Sequence, residues 1–231
     1  MSARGIRDIW SSIVGSIERL ALTNCYERLN ILASLGLVNR FRSIAASLLE
    51  CRGSILDAGC GPGTSTAVII RRCGREARIL ALDPSIAMLR IHNAAKACGR
   101  IGGRFERLPL ASDSLDGVIA MFSFRDADSY YEALGEFARV LRRGGRLVVL
   151  DIFRPKSSLA RILLKGYLYG VGMIGGILMM CPGEGRSYSA ITHTIDRMLS
   201  IDEMAEAMRP YFAQVNVYRG PFIAVIWGDK K

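Results

Sequence analysis

The sequence predicts an α/β fold with a mostly parallel sheet and helices on both of its faces. From Ser54 onward, short apolar runs alternate with stretches of helical spacing. Such alternation implies parallel strands joined by helical crossovers. The first two apolar runs end in aspartates, Asp57 and Asp83. Ligands bind outside the carboxyl ends of the strands in such sheets, so both carboxylates are candidate binding groups.

The predicted elements follow in order along the chain. Apolar residues recur at helical spacing over 6–22, and a second helical segment covers 26–49, so residues 1–50 are expected to form an N-terminal helical extension. The expected strands are 54–57, 78–83, 117–122 and 146–151, and the expected helices are 64–73, 85–98, 129–141 and 200–209. Residues 215–218 and 222–226 predict a terminal hairpin that turns at 219–221.

Composition bounds the class of protein. The 231 residues are 50% hydrophobic and 23% charged, which is typical of a globular domain and excludes a disordered, collagen-like or coiled-coil chain. The formal net charge is +10 and comes almost entirely from arginine. A basic surface favours partners with phosphates, such as nucleic acid, anionic lipid or a nucleotide-like cofactor, but a solvated arginine-rich surface explains the charge equally well.

The cysteine pattern argues against a metal centre. The six cysteines are Cys25, Cys51, Cys60, Cys73, Cys98 and Cys181, and no two form a C-x-x-C pair. Two histidines, His92 and His193, are the others that could join them, so no metal site is expected. We expect the scattered cysteines to act as small buried hydrophobic residues. The chain opens without a secretory signal pattern, which predicts a cytoplasmic protein.

The most informative segment is a glycine-rich loop between the first strand and its helix. Residues 56–64 read LDAGCGPGT, with glycines at the spacing G-x-G-x-G. Glycines there let the backbone turn tightly beside a ligand, and the helix that follows offers free N–H donors. Asp83, 20 residues after Gly63, suits the two hydroxyls of a ribose. Asp57 would repel a pyrophosphate but suits an ammonium group. The two acids therefore favour S-adenosylmethionine over NAD.

The loop and its surroundings resemble the motifs of class I S-adenosylmethionine-dependent methyltransferases. The matching segments are 56–64, 81–89, 106–116 and 141–147, so the resemblance covers residues 54–151. It implies a Rossmann-like, seven-stranded, mostly parallel sheet with a C-terminal antiparallel hairpin, formed by a domain over 51–231. It also implies a set of cofactor-binding residues: Asp57, Gly59, Gly61, Pro62, Gly63, Asp83, Arg104, Phe105 and Met121.

Other segments are similar to one branch, the demethylmenaquinone and 2-polyprenyl-benzoquinol C-methyltransferases. Residues 26–36 fit the pattern Y-x-x-x-N-x-x-x-S-x-G, residues 139–145 read RVLRRGG, and Ser187-Tyr188 match a further family segment. The chain departs from this branch at several positions. Val38 and Phe41 replace histidine and tryptophan, Pro62 replaces threonine, Arg104-Phe105 replaces asparagine-alanine, and Met121 replaces serine.

The resemblance implies methyl transfer to a ring carbon of a prenylated quinol. Such a transfer is an in-line displacement, and the enzyme must hold the nucleophile near the methyl group. A group that accepts or stabilises the phenolic proton would make the ring carbon more nucleophilic. The candidate catalytic residues are Arg125, Asp151, Tyr188 and His193. Arg125 can stabilise a phenolate but cannot act as an ordinary base.

Residues 156–182 interrupt the strand–helix alternation and are rich in leucine, isoleucine, methionine and glycine. We expect an apolar lid over the active site. The same segment, together with the helix predicted over 6–22, could receive a prenyl tail at the inner face of a membrane as a peripheral contact. Its apolar part is short and glycine-rich for a spanning helix.

A non-catalytic binding protein is one alternative, which Pro62, Arg104 and Met121 would favour if they prevented cofactor binding, although Asp57, Asp83 and the three loop glycines argue against it. Two further alternative functions stay open at this point. The first is methylation of another lipid or small aromatic molecule. The second is a basic RNA-binding or RNA-methylating protein, although the motif N/D-P-P-Y/F is missing and residues 122–125 read FSFR in its place. We expect a lipophilic substrate and no nucleic-acid partner, and the sequence leaves a homodimer open.

Overall fold

The computed structural model describes residues 25–94, 96–181, 184–189, 191–220 and 222–231, with the side chains of Glu184 and Arg186 left out. The helix predicted over 6–22 lies outside the described residues. The chain divides into two units. A helical unit contains described residues of 25–39 and 155–197, and a sheet unit contains 40–154 and 198–231.

The sheet unit carries seven strands. They are β1 (Gly53–Ala58), β2 (Ala77–Asp83), β3 (Gly99–Gly102), β4 (Leu115–Met121), β5 (Leu141–Ile152), β6 (Phe212–Arg219) and β7 (Ile223–Lys230). The strand order is β3-β2-β1-β4-β5-β7-β6. The first five strands pair in parallel, whereas β7 pairs antiparallel with β5 and β6. The predicted seven-stranded, mostly parallel sheet with its terminal hairpin is thus confirmed.

Helices cover both faces of this sheet, as the alternation predicts. Those of the sheet unit are Val38–Ser47, which begins in the preceding segment, Thr64–Cys73, Ile86–Ile91, Tyr130–Val140 and Ile201–Met208. Adjacent strand residues face opposite sides: Ile55 packs in one core cluster with Ile69, and Leu56 packs in the other with Phe137. This alternation buries both faces of the central strands.

Two predicted helices differ from the observed ones. The segment predicted over 26–49 divides into Cys25–Ala33 and Val38–Ser47, because Leu35 and Gly36 adopt φ of 52° and 82° and end the first helix. The helix predicted over 85–98 covers Ile86–Ile91 alone. The Asn93 N–H then donates to the carbonyl oxygen of Pro62 (2.8 Å), which draws the chain toward the glycine-rich loop.

The helical unit explains the glycine-rich composition of 156–182. Its long helix begins at Ser158 and runs to Gly170, followed by a π-helical turn, Val171–Gly175, and a further turn, Gly176–Leu178. The helices Cys25–Ala33, Glu184–Ser189 and Ile191–Arg197 complete its described part. A Cβ atom at Gly185 would lie 2.1 Å from the carbonyl oxygen of Gly172, so these backbones approach too closely for any side chain.

The expectation for the cysteines is wrong for four of the six. Disulfides join Cys25 to Cys181 and Cys51 to Cys73, with Cα–Cα distances of 5.9 and 4.9 Å. Cys60 and Cys98 are free thiols. The pairs are 156 and 22 residues apart in sequence, so spacing alone does not reveal them. The fold brings the cysteines of each pair together.

One described helical stretch, Ser158–Leu178, is long and apolar enough to cross a membrane by length and composition alone. Within its most apolar part, 33% of the residues are buried inside the protein. Its exposed residues include Leu159, Ile162 and Ile177, which are 66%, 67% and 74% exposed. This stretch therefore presents apolar side chains at the surface of the helical unit.

Candidate functional site

Four of the predicted site residues, three for the cofactor and one catalytic, lie at the carboxyl ends of four parallel strands. Asp57 is near the end of β1, Asp83 ends β2, Met121 ends β4, and Asp151 is near the end of β5. Because these strands run in parallel, their carboxyl ends form one edge of the sheet. The fold therefore brings these four side chains to a common edge.

The glycine-rich loop uses its three glycines in two ways. Gly59, Gly61 and Gly63 all have positive φ, of 74°, 51° and 95°, which disfavours other residues. A Cβ at Gly59 would lie 2.4 Å from the Cβ of Ser123, and one at Gly63 would lie 2.5 Å from Asn93 Oδ1. A Cβ at Gly61 would meet nothing within 4 Å. Gly59 and Gly63 thus allow close packing, whereas Gly61 borders open space where a ligand could approach the backbone.

Asp83 is fixed over this loop by two backbone donors. The Gly61 N–H donates to its Oδ2 and the Ser85 N–H donates to its Oδ1, both at 2.8 Å. The residue is 8% exposed. Each carboxylate oxygen has two lone pairs, so an anchored carboxylate of this kind can accept further hydrogen bonds from a diol.

Asp57 is fully buried, and one of its two carboxylate oxygens accepts a hydrogen bond. The Thr66 hydroxyl donates to its Oδ2 (2.6 Å), while Oδ1 has no hydrogen-bond partner. Burial raises the pKa of Asp57 to about 7. The Thr66 hydrogen bond opposes that rise, the neighbouring Asp83 adds to it, and Arg42 opposes it. An unpartnered buried carboxylate oxygen is costly to maintain, and a cationic ligand group would satisfy it.

Behind Thr66 lies a buried histidine that the sequence analysis did not select as a site residue. His92 Nε2 lies 2.9 Å from Thr66 Oγ1, and His92 Nδ1 is buried with no hydrogen-bond partner. The histidine is 4% exposed. Burial lowers its pKa, and Arg100 lowers it further. Thr66 lies in the first turn of the helix Thr64–Cys73, three residues after Gly63. This position beside the loop was the one sequence feature that could have marked Thr66, and through it His92, as part of the site.

The other predicted cofactor-binding residues have diverse surroundings. Arg104 pairs with Asp128 and Glu106 and keeps 59% of its side chain exposed. Phe105 is buried and packs edge-on against Phe137, with ring centroids 5.7 Å apart. Met121 is buried at the end of β4, and Pro62 is partly exposed in the loop.

The two predicted catalytic residues of the sheet unit form a buried ion pair. Arg125 Nη1 donates to Asp151 Oδ1 (2.8 Å), and the Arg125 backbone N–H donates to Oδ2 (3.0 Å). The Ile152 N–H also donates to Oδ1 (2.8 Å). Arg125 and Asp151 are 2% and 0% exposed. With three donors on its two oxygens, Asp151 acts as an anchor that orients the guanidinium.

The other two predicted catalytic residues belong to the helical unit. Tyr188 is buried, and its hydroxyl donates to Asn30 Oδ1 (3.1 Å). His193 lies exposed on the helix Ile191–Arg197. Among the described residues, no group of three or more His, Cys, Asp or Glu side chains could hold a metal ion.

Comparison with known proteins places this site in a family. Residues 56–149 match the model of a methyltransferase domain. The chain is 34% identical to a ubiquinone/menaquinone biosynthesis C-methyltransferase of Syntrophotalea carbinolica, over 74% of this chain and 73% of that protein. It is 35% identical to a demethylmenaquinone methyltransferase of Mycobacterium marinum, over 70% of this chain and 67% of that protein. The chain belongs to this family of C-methyltransferases.

The fold agrees with that assignment. A solved S-adenosylmethionine-dependent methyltransferase of Thermotoga maritima superposes with a TM-score of 0.66 at 22% identity, over 94% of this chain and 99% of that one. The chain is therefore a class I S-adenosylmethionine-dependent methyltransferase. The predicted cofactor and enzyme class are confirmed.

The residues present fit S-adenosylmethionine. That molecule carries an α-ammonium group, a ribose diol and a carboxylate. The unpartnered Asp57 Oδ1 suits the ammonium, the anchored Asp83 carboxylate suits the diol, and the backbone at Gly61 borders open space. The charges and hydrogen-bond acceptors at this edge thus fit the cofactor.

Proposed function

We propose that this methyltransferase methylates a ring carbon of a prenylated quinol of the demethylmenaquinol kind. The observation that carries the proposal is the buried Arg125–Asp151 pair at the carboxyl edge of the sheet. The names of two relatives support the same acceptor class. One is a ubiquinone/menaquinone biosynthesis C-methyltransferase and the other a demethylmenaquinone methyltransferase, and this chain matches each over two thirds or more of its length.

A few groups of this chain would hold the cofactor. Asp57 would accept a hydrogen bond from the α-ammonium group, Asp83 would accept from the ribose hydroxyls, and the glycine-rich loop would border the bound molecule. S-adenosylmethionine supplies an electrophilic methyl group on a sulfonium. Phe105, whose ring lies 2.9 Å from a Cβ built at Gly59, would offer apolar surface for the adenine. A contact between Met121 and the cofactor stays a prediction.

Arg125 acts on the acceptor. A quinol ring carbon becomes more nucleophilic as negative charge develops on the neighbouring hydroxyl oxygen, and a fixed guanidinium stabilises that charge. Asp151 holds the guanidinium in place and keeps it from reorganising when the charge forms. Because three donors already occupy the Asp151 carboxylate, we assign it a positioning role. Catalytic roles for Tyr188 and His193 stay predictions.

A second acceptor class is another lipid or small aromatic molecule. Arg125 would stabilise any phenolate, so Arg125 alone does not select the ring. Methylation of RNA has less support, since the chain belongs to a family whose named members act in quinone biosynthesis.

We also propose a peripheral contact with the inner face of the cytoplasmic membrane. Apolar side chains at the surface of the helical unit support it; the most exposed are Leu35, Leu159, Ile162, Leu163, Ile174, Ile177, Leu178 and Met180. Basic side chains at Lys156 and Arg161 are near one end of this surface in sequence and suit anionic headgroups. Flotation with anionic vesicles checks this contact. A lid role for 156–182 and a homodimer stay predictions.

The acceptor is tested by turnover with matched substrates. Purified enzyme, S-adenosylmethionine and liposomes containing demethylmenaquinone are incubated with the quinone either chemically reduced or left oxidised. We expect methylated product with the quinol and none with the quinone, because the oxidised ring is electron-poor. Turnover of simple phenols at the quinol rate, or of neither redox form, would overturn the proposed acceptor.

A further inference from the structure

A chain of three buried side chains runs beneath the glycine-rich loop. Asp57 comes from β1, Thr66 from the helix Thr64–Cys73, and His92 from the end of the helix Ile86–Ile91. They are 0%, 0% and 4% exposed. Their contacts are 2.6 Å between Thr66 Oγ1 and Asp57 Oδ2, and 2.9 Å between Thr66 Oγ1 and His92 Nε2. The proposed function uses Asp57 alone of the three.

The direction of each hydrogen bond follows from the number of protons. A threonine hydroxyl has one hydrogen, and its short contact to a carboxylate marks the charge-assisted bond in which it donates. The Thr66 oxygen must then accept from His92, so the histidine carries its proton on Nε2. Burial and Arg100 both lower the pKa of His92, which favours this neutral form.

We propose that His92 and Thr66 are positioning residues for the methyl donor, because together they fix the Asp57 carboxylate so that its Oδ1 accepts from the α-ammonium group of S-adenosylmethionine. The inference rests on the proposed role of Asp57. This relay, the chain from His92 through Thr66 to Asp57, gives Oδ2 one neutral donor and leaves Oδ1 for the cation.

The surroundings of Asp57 explain why its negative charge needs support from the relay. Asp57 faces the negative charge of Asp83 at the end of β2 and the positive charge of Arg42 on the helix Val38–Ser47. The thiols of Cys60 in the loop and Cys98 before β3 also lie near it, and burial raises the pKa of both, which keeps them neutral. A buried carboxylate in such surroundings tends to take up a proton, and a protonated Asp57 binds an ammonium group weakly. The Thr66 hydroxyl opposes that protonation, and His92 holds the hydroxyl in its donating orientation.

His92 also packs against the loop, since a Cβ at Gly63 would lie 2.8 Å from its ring. Its role in packing must therefore be separated from its role as a donor. His92→Gln keeps an amide N–H donor at about the same reach, whereas His92→Leu keeps bulk without a donor. In the same way, Thr66→Ser keeps the hydroxyl and Thr66→Val removes it at nearly constant volume.

The test is calorimetric titration of S-adenosylmethionine into the wild type and these four variants between pH 6 and pH 8. A hydrogen bond to a charged group contributes about 1.5–3 kcal/mol, so we expect Thr66→Val and His92→Leu to weaken binding about tenfold or more. We expect the midpoint of the pH profile of affinity to move to higher pH in both. Thr66→Ser and His92→Gln should restore both the affinity and the profile.

Several results would overturn the relay. One is wild-type affinity in Thr66→Val and His92→Leu. Another is an equal loss in all four variants with an unchanged pH profile, which would indicate packing alone. Because the readout is donor binding, a failure of quinol methylation with the expected binding pattern would remove the proposed acceptor and leave the relay intact.

Discussion

The buried pair of Arg125 and Asp151 allows a quantitative test of the proposed site. Asp151→Asn removes the negative charge at nearly constant shape and takes away the 2.8 Å partner of the buried guanidinium, while Asp126 Oδ1 still lies 3.9 Å from Arg125 Nε. Arg125→Met removes the positive charge and leaves the carboxylate buried. Both residues are at most 2% exposed, so solvent cannot replace the lost partner.

The magnitude follows from the desolvation of each charge. Removing one partner of a buried ion pair costs about 3–5 kcal/mol, and replacing both by neutral groups costs much less. We therefore expect each single variant to lose about 3–5 kcal/mol of unfolding free energy. The double variant should lose about 3 kcal/mol less than the sum of the two single losses, because neither charge then remains buried alone.

Urea unfolding of the wild type, both single variants and the double variant measures these free energies. Tyr130→Phe is the matched control, since its hydroxyl donates to the backbone carbonyl of Arg125 (3.1 Å) and carries no charge; we expect it to cost about 1 kcal/mol. Additive losses of less than about 1 kcal/mol for each charge variant would contradict the expected cost of leaving one charge of the pair buried without the other. Methyl transfer should fall in all three charge variants, including the double variant whose stability recovers in part.

Three further predictions concern the thiols, the glycine-rich loop and Asp57. Denatured, unreduced protein should titrate two thiols, those of Cys60 and Cys98, and six after reduction; six before reduction would contradict the disulfides. Gly59→Ala should cost about 3 kcal/mol from positive φ and the clash with Ser123, whereas Gly61→Ala should cost about 1 kcal/mol yet weaken cofactor binding; equal stability losses would contradict this contrast. The pKa of Asp57 rises from 3.8 to about 7 in the folded protein, so the folded state holds a proton that the unfolded state releases between these values. Unfolding free energy should therefore fall as pH rises through this window, by up to about 4 kcal/mol relative to Asp57→Asn, and parallel pH profiles of the two proteins would show that Asp57 is not perturbed.

The sheet was predictable because its signals are local. The apolar run at 54–57, the glycine spacing after it and the acid at the end of the next run all follow from residues close in sequence. The helix Thr64–Cys73 was predicted with the bounds that the structure has. Strand β3 escaped specific prediction, since its residues Gly99–Gly102 include two glycines and no apolar run.

The parts that escaped prediction depend on contacts between distant segments. Cys25 and Cys181 pair across 156 residues, and nothing near either cysteine identifies the other. His92 reads as the next residue of a helix in sequence, yet the chain leaves the helix there and its ring reaches Thr66. The three donors to Asp151 likewise come together only once β5 and the turn after β4 are adjacent.

The position of the transferred methyl group on the product distinguishes methylation of a ring carbon from methylation of an oxygen. Enzyme, S-adenosylmethionine with an isotopically labelled methyl group and reduced demethylmenaquinone in liposomes are incubated without oxygen, and the product is fragmented in a mass spectrometer. We expect the label on a ring carbon of the quinol. Arg125→Met should reduce the amount of labelled product, and Tyr130→Phe should leave it nearly unchanged. Label on a hydroxyl oxygen, or no labelled quinone while the enzyme still binds the donor, would contradict methylation of a ring carbon.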